Sequence, residues 1–175
     1  MNKYDSWLET SWKKLNEDFL KGTFKPQMES DIMCHLYSKL HQTKQDIKGL
    51  TDRHVILTEH RFNPSKRKYI DLVIGKWTKK GFEPRIAIEM KETGKKLKKP
   101  VSEISPNEVE GRVMRDIEKL KEAYPEDRIK KYVFFFFRMQ FPREQYPKGI
   151  SDPYKEKLKD IERKHKDVVF KWGPL

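Results

Sequence analysis

The sequence predicts an α/β fold, a mixed β-sheet flanked by helices in the order ααβββαβαβ, and three patterns carry that reading. Residues 69–92, YIDLVIGKWTKKGFEPRIAIEMKE, alternate in character with the period of two expected of strands, around a Lys-Lys-Gly turn. Residues 131–141, KYVFFFFRMQF, are apolar at consecutive positions, which suits a strand covered on both faces. Apolar stripes at helical spacing precede, separate and follow these runs.

Residues 4–21 predict an amphipathic helix with Leu8, Trp12, Leu15 and Phe19 on one face and Gly22 closing it. A second helix is expected from Pro26 to about His41, with Ile32, Met33, Leu36 and Leu40 inward. Glu29 falls on that inward stripe, so its carboxylate either answers the helix dipole or faces something buried. After a polar connection over 42–52, RHVILTEHRF predicts the first strand. It puts Val55, Leu57, Glu59 and Arg61 on one face and His54, Ile56, Thr58, His60 and Phe62 on the other. Glu59 is expected to pair at the surface with Arg61 or Lys68, and Asn63-Pro64-Ser65 turns the chain into the hairpin.

In that hairpin, Lys79-Lys80-Gly81 suits a three-residue loop with Gly in the left-handed position. With Thr78 facing Phe82, Asp71 lies across from Glu89, Leu72 from Ile88 and Val73 from Ala87. Ile70, Leu72, Ile74, Ile86, Ile88 and Met90 then face a core, while Asp71, Glu89 and Lys91 share the other face. Two neighbouring carboxylates repel unless a cation sits between them, and hard oxygen donors of this kind suit Mg²⁺.

The segment 92–106 is a loop punctuated by Gly94 and Pro100. Ser105-Pro106-Asn107-Glu108 has the capping-box pattern, so a helix begins there with Val109, Val113, Ile117 and Leu120 inward and Arg112, Arg115 and Lys119 off the stripe. Pro142 ends the Phe-rich strand, a final helix is expected from Ser151 to about Lys166, and Val168 to Trp172 reads as a last strand.

Asp71 followed by Glu89-Met90-Lys91 resembles the motif of the PD-(D/E)xK nuclease superfamily, with Ile70 where the motif has Pro. The resemblance covers about residues 26–141 and implies a restriction-endonuclease-like core. It implies a Mg²⁺-dependent phosphodiesterase acting on DNA, with Mn²⁺ as a substitute ion. Asp71, Glu89 and the Met90 backbone carbonyl would hold the metal, Glu29 would support it directly or through water, and Lys91 would orient or deprotonate the attacking water. Similar nucleases use basic residues of the next helix at the substrate, which points to Arg112 and Arg115.

Composition bounds this reading. The 175 residues suit a single nuclease-like domain, 1–175, and the net charge of +12, from 39 basic and 27 acidic residues, favours nucleic acid as partner. Lys66, Arg67 and Lys68, with Lys95, Lys96, Lys98 and Lys99, are expected to contact phosphates around the site. The lone Cys34, expected in the core, excludes an internal disulfide framework and Cys-rich zinc sites; the five histidines lack metal-ligand spacing. With no apolar run long enough for a membrane and no signal-peptide pattern, a cytoplasmic protein is expected. The alternatives are a catalytically inactive nuclease-fold module that binds nucleic acid or regulates, and a basic protein-interaction domain. An intact Asp-Glu-Lys trio weighs against the first. Elaborate sequence reading would require a homodimer or a protein partner.

Overall fold

The computed structural model describes residues 2–26, 28–63, 68–93, 106–137 and 159–173. Two helices, α1 (Lys3–Leu20) and α2 (Glu29–Thr43), lead through a short 3-10 turn (Lys44–Asp46) into strands β1 (His54–Asn63), β2 (Lys68–Thr78) and β3 (Gly81–Thr93). Helix α3 (Pro106–Ala123) then precedes β4 (Lys130–Phe137), and β5 (Val168–Gly173) follows. The strands form one sheet in the order β1-β2-β3-β4-β5, antiparallel through β3 and parallel from β3 to β5. The expected order differs in two places. The 3-10 turn was not anticipated, and of the helix expected over 151–166 only residues 159–164 are seen as helical, 151–158 lying outside the described residues.

Helices cover both faces of the sheet. On one side Trp7, Leu8 and Leu15 of α1 and Ile32, Leu36 and Leu40 of α2 pack on Leu72, Ile74, Ile86, Ile88, Met90, Phe134 and Phe136. On the other, Val113, Ile117 and Leu120 of α3 pack on Val73, Ala87, Val133 and Phe135. Phe134, Phe135 and Phe136 of β4 therefore alternate between two cores, each side chain contributing ~1.5–3 kcal/mol by burial. Asp18 ties α1 to α2 through Lys39 at 2.6 Å and His35 at 2.9 Å. Helix α2 begins at Glu29 and not at Pro26, because the Asp31 carboxylate accepts the Met28 N–H at 3.0 Å and fixes the cap there. Cys34 is exposed and not in the core: Ile32 and Leu36 take the inward positions on either side of it. Among the described residues no helix is long and apolar enough to cross a membrane.

Two irregularities set the hairpin. The turn is two residues, Lys79-Lys80, with Thr78 paired to Gly81 and Trp77 to Phe82, one step away from the expected pairing. Thr78 Oγ1 accepts the Lys80 N–H and donates to the Gly81 carbonyl, and Gly81 takes φ +112°. Between Ile74–Ile86 and Gly75–Pro84 the register then shifts, with Arg85 as the extra residue. Pro84 has no N–H to donate, so the ladder tolerates the bulge at that point. The shift cancels the turn, and Leu72 faces Ile88 and Val73 faces Ala87 as expected.

Alternation also breaks on the other side of β2. Ile70 was expected with Leu72 and Ile74, and Phe62 with Ile56, yet Ile70 and Phe62 join the α3 side. The pair of strands changes face where Glu59 takes φ +48°, between the pairs Thr58–Leu72 and His60–Ile70. Glu59 is exposed there, and Lys68, one of its two expected partners with Arg61, pairs with Glu122 of α3 instead.

Gly75 is the residue that lets the bulge close. A Cβ there would lie 2.4 Å from the Glu83 carbonyl oxygen and 2.6 Å from the Phe82 ring. Gly75→Ala should therefore destabilise the fold by ~1–3 kcal/mol, read as a lower urea midpoint with unchanged slope. A midpoint equal to wild type would mean that the bulge relaxes freely and does not hold the register.

Candidate functional site

The paired region of β2 and β3 ends at Leu72–Ile88, and beyond it side chains replace the backbone ladder. Asp71 Oδ2 accepts the Met90 N–H at 2.7 Å, while Glu89 Oε1 accepts the Asp71 N–H at 3.3 Å. Each carboxylate is thus anchored on the strand of the other. The exchange satisfies two backbone donors and brings both acids to one end of the sheet.

Glu89 is fully buried, and its Oε2 forms an ion pair with Lys119 of α3. Burial first, and then the Asp71 charge, push its carboxyl up to about 8 despite Lys119. Lys91, two residues on, donates to the Met90 carbonyl at 3.2 Å and lies 3.5 Å from Asp116 Oδ2 and 3.6 Å from Glu29 Oε1. Burial pulls Lys91 down, but the carboxylates of Asp116, Glu29, Asp71 and Glu89 outweigh it and hold the ammonium above its ordinary value. Asp116 is itself pushed up to about 6, by burial against the pull of Lys91 and Lys119.

The structure therefore brings together Asp71, Glu89, Lys91, the Met90 carbonyl and Glu29, as the sequence predicts. It adds two residues of α3 that sequence reasoning did not assign, Asp116 and Lys119. Asp116 could have been found. It lies three residues after Val113 and four before Leu120, on the inward stripe, which is the same signal that singled out Glu29. Lys119 carries no such signal, because a helical lysine beside the stripe is ordinarily solvated. Of the expected phosphate contacts, Lys68 is engaged by Glu122, Arg115 is exposed and Arg112 half-buried. Lys66, Arg67, Lys95, Lys96, Lys98 and Lys99 lie outside the described residues.

Four carboxyl groups, Glu29, Asp71, Glu89 and Asp116, thus meet the two ammoniums Lys91 and Lys119, with Glu89 and Asp116 buried and Glu29 and Asp71 partly exposed. All the anionic donors are oxygens, the chemistry that suits a hard divalent cation. Among the described residues no three acidic, histidine or cysteine side chains converge as a ready-made cage. Magnesium asks for less, since it keeps several waters and takes one or two carboxylates.

In a chelator, the raised values of Glu89 and Asp116 make the fold bind protons more tightly than the unfolded chain does. Their contribution is present at low pH and is lost as pH rises toward about 8. Between about pH 6.5 and 8, above the ordinary histidine range, stability should fall by up to ~1 kcal/mol per pH unit. Glu89→Gln should flatten that slope in urea titrations; an equal slope in the variant would mean that Glu89 is not the group being ionised.

Compared with models of protein families, with curated proteins and with solved structures, the chain matches none.

Proposed function

We propose that the chain is a divalent-metal-dependent nuclease of the PD-(D/E)xK kind, built on a restriction-endonuclease-like core and hydrolysing phosphodiester bonds of nucleic acid, with DNA as the preferred substrate. The observation that carries the reading is the bonded pair Asp71 and Glu89 at the end of the sheet, with Lys91 beside it.

Asp71, Glu89 and the Met90 carbonyl would hold Mg²⁺, or Mn²⁺ in its place, with Glu29 in support. A bound ion of this kind supplies acidification of a water molecule and stabilisation of charge on the reacting phosphate. The protein's own share is positional and electrostatic. Because its neighbours keep it an ammonium, Lys91 can donate hydrogen bonds to the attacking water and to a phosphate oxygen. It cannot take the water's proton before it has lost its own, so its role in this reading is orientation and charge balance. One oxygen of each acid, Asp71 Oδ2 and Glu89 Oε1, is held by a backbone donor of the facing strand, which fixes both side chains in advance. The basic remainder of the chain draws the polyanion toward an acidic site that, without a cation, would repel it.

Plasmid, single-stranded DNA and RNA incubated with Mg²⁺, Mn²⁺ or EDTA test the proposal. Cleavage is expected with either ion and none in EDTA. Lys91→Ala should lose at least ~100-fold in turnover while keeping its fold and its nucleic-acid affinity. Asp71→Asn and Glu89→Gln should weaken Mn²⁺ binding in calorimetry. Cleavage that persists in EDTA would sink the metal-dependent reading, and wild-type turnover by Lys91→Ala would remove that residue from the chemistry.

A further inference from the structure

We propose that Asp116, on α3, is the positioning residue that holds the Lys91 ammonium at the site; this deepens the nuclease reading and rests on it. Asp116 is 6% exposed, and its Oδ2 has no hydrogen-bond partner among the described residues. A buried carboxylate oxygen without a directed hydrogen bond is costly to keep, so its charge must face something that compensates. What it faces is Lys91 Nζ, at 3.5 Å.

Lys91 has a second acidic neighbour in Glu29, and exposure separates the two. The Glu29 side chain is 42% exposed and the Asp116 side chain 9%. Glu29 stands at the first residue of α2 with solvent beside it. Asp116 is held in the middle of a packed helix, between Val113 and Leu120, away from solvent. It is therefore the fixed end of the contact.

The helix and the strand also match as units. Glu89 and Lys91 are two residues apart on β3, and Asp116 and Lys119 are three apart on α3, so each pair lies on one face of its element. The pairs meet with charges exchanged, Glu89 with Lys119 and Lys91 with Asp116. Turning α3 by one residue would break both contacts and bury both acids unpaired. A lysine has four side-chain torsions to restrict, and its ammonium is useful in catalysis only when those are fixed in advance. Asp116 supplies that restriction from an element that does not itself carry the motif.

The test separates position from chemistry. Lysines of the metal-free protein are reductively methylated with a ¹³C label, which retains their charge, and the Lys91 signal is identified by its loss in Lys91→Arg. Asp116→Asn should move that signal into the envelope of exposed lysines, while Asp116→Glu should leave it outside. In parallel, Asp116→Asn should lower single-turnover cleavage by ~10–100-fold with Mn²⁺ affinity in calorimetry held within about twofold. Asp116→Ser is the second neutral variant, with the same expectation, should the amide not be accommodated. A Lys91 signal unmoved in the neutral variants overturns the proposal. So does a Mn²⁺ affinity that falls in step with cleavage, since Asp116 would then be a ligand. A wild-type protein that cleaves no nucleic acid overturns the nuclease reading instead, and the Lys91 signal still decides whether Asp116 positions it.

Discussion

The register of β2 on β3 is the constraint on which the rest of the molecule depends. Side chains in a strand alternate, so a slip of one residue would send Glu89 and Lys91 to the opposite face from Asp71. The chain meets this constraint by two opposing irregularities, a turn one residue shorter than expected and a bulge at Arg85 that restores the count. Everything at the far end follows. Asp71 and Glu89 can exchange backbone bonds only because Leu72 meets Ile88, and α3 can match the acid and the base of β3 only because both face it.

A basic protein has here placed two acids, Glu89 and Asp116, where water is scarce. Burial raises the cost of each of these two carboxylates, and the charge of Asp71 raises it again, as the high value at Glu89 reflects. Lys91 and Lys119 reduce the cost without removing it. Such an arrangement is a poor way to stabilise a fold, since apolar residues of the same volume commonly do as well or better. In the reading proposed above, it keeps a site ready for a cation.

Much of this was legible in the sequence, and for physical reasons. Period two announced β2 and β3, and the doubly apolar run 131–141 announced a strand covered on both faces, seen so from Tyr132 to Phe136, because burial writes directly into side-chain character. The pairs Leu72–Ile88 and Val73–Ala87 came out correctly although the loop did not, since the turn and the bulge offset each other. Glu29 was legible as an acid on an apolar stripe; Asp116 carried the same mark and was passed over. The change of face at Glu59 left no trace, because the left-handed backbone there belongs to a residue type with no particular liking for it. Cys34 misled for the opposite reason: thiols are so often buried that an exposed one on α2 goes against habit.

The kink at Glu59 has a further meaning for how copies of this chain meet one another. Among the described residues β1 is paired on one side only, so its ten residues present a row of backbone donors and acceptors along the margin of the sheet. A straight row of that length is an invitation to cross-strand association and aggregation. The left-handed step at Glu59 interrupts the row past its middle, and the charged neighbours Glu59 and Arg61 sit exposed at the break. An incoming strand that follows His54 to Thr58 meets this step next. The same local twist that turns the inner strand over beneath Asp71 thereby blunts the outer margin of the sheet, and keeps a long unpaired strand from acting as a template.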